Sequence, residues 1–182
     1  MIKVPRTGRV KTRLGRGIGM TSAAWWFRHQ TTRLIRRLRD PRWQIVLAVT
    51  PDREGLQFRG WPSDLARLPQ GSGDLGARMA RLLRATPGPT VLIGSDIPGV
   101  RRGHIARAFQ ALSSSSSAIG PATDGGYWCV AIRHPSQAPV RLFHGVRWST
   151  EFALEDTLPT LPQPVVRLAQ LADVDTAGDL SP

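Results

Sequence analysis

The chain has 182 residues, 25 Lys and Arg against 13 Asp and Glu, and 41% apolar residues, enough for one domain with a real core. A single cysteine, Cys129, excludes an internal disulfide and a cysteine-cluster metal site. No stretch approaches the ~18–20 apolar residues of a membrane span. The basic start carries no apolar signal core, so a cytoplasmic protein without a membrane partner is expected.

Helical and strand signals alternate, which predicts an α/β layer architecture. Ser22 to Arg39 reads as an amphipathic helix: Ala24, Phe27, Thr31, Leu34, Ile35 and Leu38 share one face, with Arg28, Arg33, Arg36 and Arg37 mostly opposite. Asp40-Pro41 stops it. Trp43 to Thr50 reads as a strand, Leu75 to Arg84 as a helix, Thr90 to Ser95 as a strand and Arg102 to Leu112 as a helix. Ala118 to Pro121 and Tyr127 to Arg133 are further strands; Ser149 to Leu158 is helical, with Ser149 as N-cap. Val165 to Leu168 is a last strand, and Thr176 to Asp179 has the spacing of a capping box. No linker or repeat divides the chain, so residues 1–182 form one domain.

The charge is concentrated. Residues 1–43 hold 12 basic side chains and one acid, while the remaining 139 residues are nearly neutral. Nucleic-acid binding, an organellar transit segment and a small polyanion site compete as explanations, beside a solvated helix face. No nucleic-acid-binding motif accompanies the charge, so a nucleic-acid partner is not favoured.

Polar motifs fall at predicted strand ends, where open α/β sheets bind ligands. Gly8 precedes Lys11, Thr12 and Arg13, a loop able to neutralise a pyrophosphate or triphosphate. It lacks Walker A spacing and could also be a basic surface turn. Gln70, Gly71, Gly73 and Asp74 precede a helix containing Arg78; the glycines would let the loop pass close to a flat base, or the segment is an ordinary loop and N-cap. Asp96 follows a buried strand, as a ligand for a hard cation or as a helix cap. Asp124-Gly125-Gly126 is an acid beside a flexible turn. Of Asp173 and Asp175, one is expected to face a site. The four histidines show no ligand spacing, and Cys129 reads as a buried small hydrophobe.

The order of these motifs is more specific than any one of them. Lys3-Val-Pro5-x-x-Gly8-x-Val10-Lys11-Thr12-Arg13-Leu14, Gln70-Gly71-x-Gly73-Asp74-Leu75-Gly76-x-Arg78-Met79, Gly94-Ser95-Asp96-x-Pro98, Gly120-Pro121-x-x-Asp124-Gly125-Gly126-Tyr127, Trp148-Ser149-Thr150 and Asp173-Val174-Asp175-Thr176-x-x-Asp179-Leu180 follow one another from Lys3 to Leu180. This series resembles the radical-SAM/selenodomain-associated transferases, a glycosyltransferase-A-like group of the nucleotide-diphospho-sugar transferase superfamily. It is similar to the phospholactate guanylyltransferases and, more distantly, to molybdenum-cofactor guanylyltransferases.

The resemblance implies a three-layer α/β/α sandwich around a mixed, mostly parallel sheet. It implies a metal-dependent glycosyltransferase or nucleotidyltransferase with a nucleoside triphosphate or nucleotide-sugar donor, a small-molecule acceptor, and Mg²⁺ or Mn²⁺. Lys11 and Arg13 would act on the donor phosphates, with Gly8 and Thr12 beside them. Gln70, Gly71, Gly73, Asp74 and Arg78 would meet the nucleotide. Asp96 and Asp175 would hold the metal. Catalytic Asp124, with Gly125 and Gly126, would line the acceptor side, and Trp148, Ser149 and Thr150 would close the pocket. Family members carry a strand of about six residues before the Lys-x-Pro motif; here two residues precede Lys3, so the first strand is expected to be truncated and the native start to lie upstream. A nonenzymatic remnant of the fold and a nucleic-acid-binding protein are the alternatives. The sequence leaves the oligomeric state open.

Overall fold

In the computed structural model, which describes residues 1–180, apolar side chains at three- and four-residue spacing build the long helix α2 (Met20–Leu38). Ala23, Ala24, Phe27, Thr31, Leu34, Ile35 and Leu38 form its buried stripe. A short helix, α1 (Thr12–Ile18), precedes it and was not foreseen. The other helices are α3 (Asp52–Gln57), α4 (Leu75–Arg84), α5 (Arg102–Ala111) and α6 (Ala153–Thr157). The strands are β1 (Ile2–Lys3), β2 (Val46–Thr50), β3 (Ala66–Pro69), β4 (Thr90–Ile93), β5 (Ser117–Pro121), β6 (Tyr127–Ile132) and β7 (Val165–Arg167).

Sequence periodicity located α4 to the residue but missed α3, which is short and polar, and β3, which has four residues and ends in proline. The helix expected from Ser149 begins instead at Ala153. Ser149 has φ 62°, and Thr150 makes the local turn, its Oγ1 accepting from the Phe152 amide at 3.3 Å.

β1, β2 and β3 pair in parallel in that order. β4, β6, β5 and β7 form a second run, in which β6 is antiparallel to both neighbours and β7 is parallel to β5. Alternation along β5 and β6 divides the core. Ile119, Val130 and Ile132 pack toward α4 and α6, whereas Ala118, Ala131 and Cys129 face α5 and α2. Helices thus cover both faces, giving the expected three layers.

The two runs meet at β1. Only Ile2 and Lys3 pair with β2, opposite Val49 and Thr50. Beside the rest of β2, an apolar cavity of about 140 Å³ lies between β2 and β4, with Leu34, Leu38, Leu47, Val91 and Ile93 in its lining. The Met1 ammonium closes one end, donating to the Ile93 carbonyl at 2.6 Å. Burial lowers its pKa to about 6, opposed by the attraction of Asp96. β1 is thus two residues long, and the apolar cavity flanks it.

Candidate functional site

The chain segments leaving β1, β4 and β5 carry Lys11, Asp96 and Asp124, and the segment after β7 carries Asp173 and Asp175. Lys11 caps α1 with φ 44° and ψ 51°, a left-handed conformation that costs a non-glycine residue roughly 1–2 kcal/mol. Its side chain is only 8% exposed. A strained, desolvated ammonium persists only where contacts compensate. Here they are Asp96 Oδ2 at 2.9 Å and Asp175 Oδ1 at 3.5 Å from Nζ. Arg13 Nη1 donates to Asp175 Oδ2 at 2.9 Å from the more exposed side.

Several backbone contacts hold these side chains together. The Val174 amide donates to the Asp96 carbonyl at 3.5 Å, so the last segment runs beside the exit of β4. Thr176 and Asp179 form the expected capping box, and Asp179 Oδ2 also accepts from the Asp175 amide at 3.0 Å. That turn packs against α1 at Gly17, where a Cβ would lie 2.8 Å from the Ala177 Cβ.

Only one of Asp173 and Asp175 was expected to face the site; both do. Residues two apart on an extended segment return to the same side, and Val174 between them is buried. Burial raises the Asp173 carboxyl above its usual range; Asp124 and Asp96 push the same way and Lys11 opposes them. Asp173 is the functional candidate the sequence reading left out of the site, and the Asp-x-Asp spacing was the signal that could have included it.

The Gln70 loop lies at the end of β3, but its polar groups are turned inward. Gln70 is 2% exposed. Its Nε2 donates to the carbonyls of Ala48 (2.8 Å) and Ile2 (3.4 Å), and its Oε1 accepts from Arg78 Nη1 (3.3 Å). These bonds join β1 to β2 and occupy the amide that was expected to meet a base. Asp74 Oδ1 accepts from the Ala77 amide at 2.8 Å as the N-cap of α4. Arg81, which the sequence did not single out, holds the loop by donating to the carbonyls of Gln70 and Ser72. Asp52 accepts from the Gly71 amide. Gly71 (φ 75°) and Gly73 (φ 99°) are needed for backbone conformation.

Asp124 Oδ1 accepts from the Gly126 amide at 2.9 Å within the β5–β6 connection. Gly125, with φ 83°, presses on the backbone of Glu151, and the Leu154 amide donates to its carbonyl at 3.0 Å. That glycine therefore serves packing as well as the turn, and it brings the 124–126 segment to the 148–151 segment. Trp148 is half-buried against Phe143 and Tyr127, with ring centroids 6.2 and 6.5 Å away. Ser149 and Thr150 are exposed beside it. Gly8 is exposed at φ 71°, and Thr12 is exposed at the first position of α1. Cys129 is buried, and burial pushes its thiol pKa up to about 12, as expected of an inert core cysteine.

Among the described residues, no group of three or more His, Cys, Asp or Glu side chains is placed to hold a metal ion. No helix among them is long and apolar enough to cross a membrane.

The fold matches a provisionally named nucleotide-diphospho-sugar transferase from Desulfovibrio desulfuricans G20, with a TM-score of 0.86 and 31% identity, over 98% of this chain and 81% of that one. The 4-diphosphocytidyl-2C-methyl-D-erythritol synthase of Anaerococcus prevotii DSM 20548 matches in fold, with a TM-score of 0.55 and 10% identity, over 84% of each chain. None of the curated proteins matches the sequence. Residues 33–150 match the family described as "Uncharacterized protein conserved in bacteria (DUF2064)", and the chain belongs to that family.

Proposed function

We propose that the protein is a metal-dependent transferase whose donor is a nucleoside triphosphate or a nucleotide-sugar. The observation that carries this reading is the meeting of Lys11 and Arg13 with Asp96 and Asp175 at the strand-end loops of an α/β sheet. Two cations alone would suit any anion. Two carboxylates beside them suit a phosphate that arrives with a hard divalent cation.

The donor set fits such a cation in one specific way. Mg²⁺ commonly takes one or two carboxylates and completes its shell with water and substrate phosphates. Asp96 and Asp175 supply that number, and Mg²⁺ or Mn²⁺ held there would neutralise charge on the donor phosphates. Lys11 and Arg13 would hold the leaving phosphate through charge-assisted hydrogen bonds as negative charge develops on it. The 124–126 and 148–150 segments, already packed together, would form the acceptor side with Asp124 exposed at its edge. Gly71, Gly73 and the backbone of the 70–74 loop, rather than the Gln70 and Asp74 side chains, would approach the nucleotide.

Two chemistries use this arrangement. Attack on the α-phosphate of a triphosphate releases pyrophosphate; attack on the sugar carbon of a nucleotide-sugar releases a nucleoside diphosphate. The name of the D. desulfuricans relative leaves both open. The motif order resembling the radical-SAM/selenodomain-associated transferases and the phospholactate guanylyltransferases supports the same donor class, and a cytoplasmic site of action goes with it. Incubation with both donor classes and candidate small acceptors, followed by product analysis, separates the two. Pyrophosphate from a triphosphate identifies nucleotidyl transfer, nucleoside diphosphate from a nucleotide-sugar identifies glycosyl transfer, and the absence of both products would contradict the reading.

A further inference from the structure

The ammonium of Lys11 stands between the two carboxylates that a divalent cation would need. Nζ is 2.9 Å from Asp96 Oδ2 and 3.5 Å from Asp175 Oδ1, on a side chain only 8% exposed, while the two carboxylates are 40% and 34% exposed. A divalent cation requires carboxylate oxygens at roughly 2.0–2.6 Å. It cannot reach both while an ammonium occupies the space they share, and the like charges repel at that range. Arg13 does not block in the same way, because it holds Asp175 from the exposed side at Oδ2. Lysine also suits exchange: it is a point charge on a flexible four-carbon stem, without the fixed fork of arginine.

We propose that Lys11 is an exchangeable counter-ion, which offsets half the charge of the Asp96–Asp175 pair and fills the space between them until a donor phosphate draws it away and so admits the divalent cation. Metal and nucleotide then bind with positive coupling, and by linkage each raises the affinity of the other by the same factor. Metal without a phosphate meets a pair that Lys11 blocks and whose charge Lys11 and Arg13 together offset. The inference rests on the proposed transferase reading for the identity of the donor, but its test needs no donor.

The test measures Mn²⁺ binding alone, by electron paramagnetic resonance of free Mn²⁺, in the wild-type chain, Lys11→Met and Lys11→Arg. Lys11→Met is expected to bind Mn²⁺ at least about tenfold tighter than wild type, within the usual range of coupling between sites. Lys11→Arg, which keeps the charge, should stay close to wild type. Equal Mn²⁺ affinity in wild type and Lys11→Met would overturn the proposal. Should Lys11→Met fail to fold, acetylation of Lys11 in the wild-type chain, read by mass spectrometry, gives a second measurement. Millimolar Mn²⁺ alone should leave Lys11 protected, and exposure of Lys11 by Mn²⁺ alone would also overturn it. Failure of nucleotides to bind at all would instead count against the transferase reading and leave the metal-only comparison intact.

Discussion

Lys11 Nζ and Asp96 Oδ2 lie 2.9 Å apart, tying the loop after β1 to the exit of β4 through an ion pair whose lysine is nearly buried and whose aspartate is partly exposed. The sequence assigned the first to the donor phosphates and the second to a metal. In the structure they are each other's partners. That relationship gives every substitution at either residue two effects, one on the fold and one on ligand binding.

Asp96→Asn should abolish metal-dependent nucleotide binding in calorimetry. It should also lower stability, by about 1–3 kcal/mol, because the Lys11 ammonium loses its shortest charged contact and keeps only Asp175 at 3.5 Å. Denaturant melts measure the second effect independently of the first. Metal-dependent affinity unchanged from wild type would remove Asp96 from the site.

Replacing Lys11 and Arg13 together with Ala should weaken di- and triphosphate binding by roughly tenfold or more per residue, since hydrogen bonds to charged groups contribute about 1.5–3 kcal/mol each. Nucleosides should be affected far less. Equal losses for charged and uncharged ligands would argue against a phosphate cradle.

The arginines of α2 are expected to matter little for turnover. Arg28, Arg33 and Arg36 are exposed opposite the buried stripe. Arg37 is half-buried, its Nε and Nη2 find no partner among the described residues, and burial followed by the nearby charge of Arg101 lowers its pKa. Changing all four to Gln should leave turnover within a few-fold and should not reduce the melting temperature, because a repulsion is relieved at Arg37. Collapse of activity with the fold retained would show that this face has a charged partner.

The space beside β1 gives a prediction about stability and pH. In this chain the Met1 amine has its pKa lowered by burial from 8.0 to about 6. Between those values the unfolded chain binds more protons than the folded one, so stability should rise from pH 6 to pH 8, by about 2–3 kcal/mol at most. Adding a short apolar β-forming segment ahead of Met1 converts the amine to an amide and offers backbone partners to β2 and β4. The extended variant should melt higher and lose that pH dependence. Equal stability and an unchanged pH profile would mean that the cavity does not accept a strand.

Much of the fold was legible because its long elements are strongly periodic. The apolar stripe of α2, the helix α4 and the runs of β5 and β6 follow directly from spacing. Short polar elements such as α3 and β3 exist because parallel pairing and packing hold them, and neither leaves a period in the chain. Lys11, Arg13, Asp96 and Asp175, all candidates in the sequence, come together as ion-pair partners. What sequence could not show is where a polar side chain spends its hydrogen bonds. Gln70 satisfies two strand carbonyls and Asp74 caps a helix, bonds that depend on backbone neighbours distant in the sequence or on the local turn. Asp173 was missed for a different reason: the two-residue spacing that places it beside Asp175 was not read as one face.

Lys11, Arg13, Asp96 and Asp175 are proposed to bind a nucleotide donor together with a divalent cation. A thermal-shift panel of nucleoside triphosphates and nucleotide-sugars, each with and without Mg²⁺ or Mn²⁺, tests it most directly. At least one donor should raise the melting temperature, metal should enlarge the shift, and metal alone should give almost none. No shift with any donor, or equal shifts with and without metal, would contradict it.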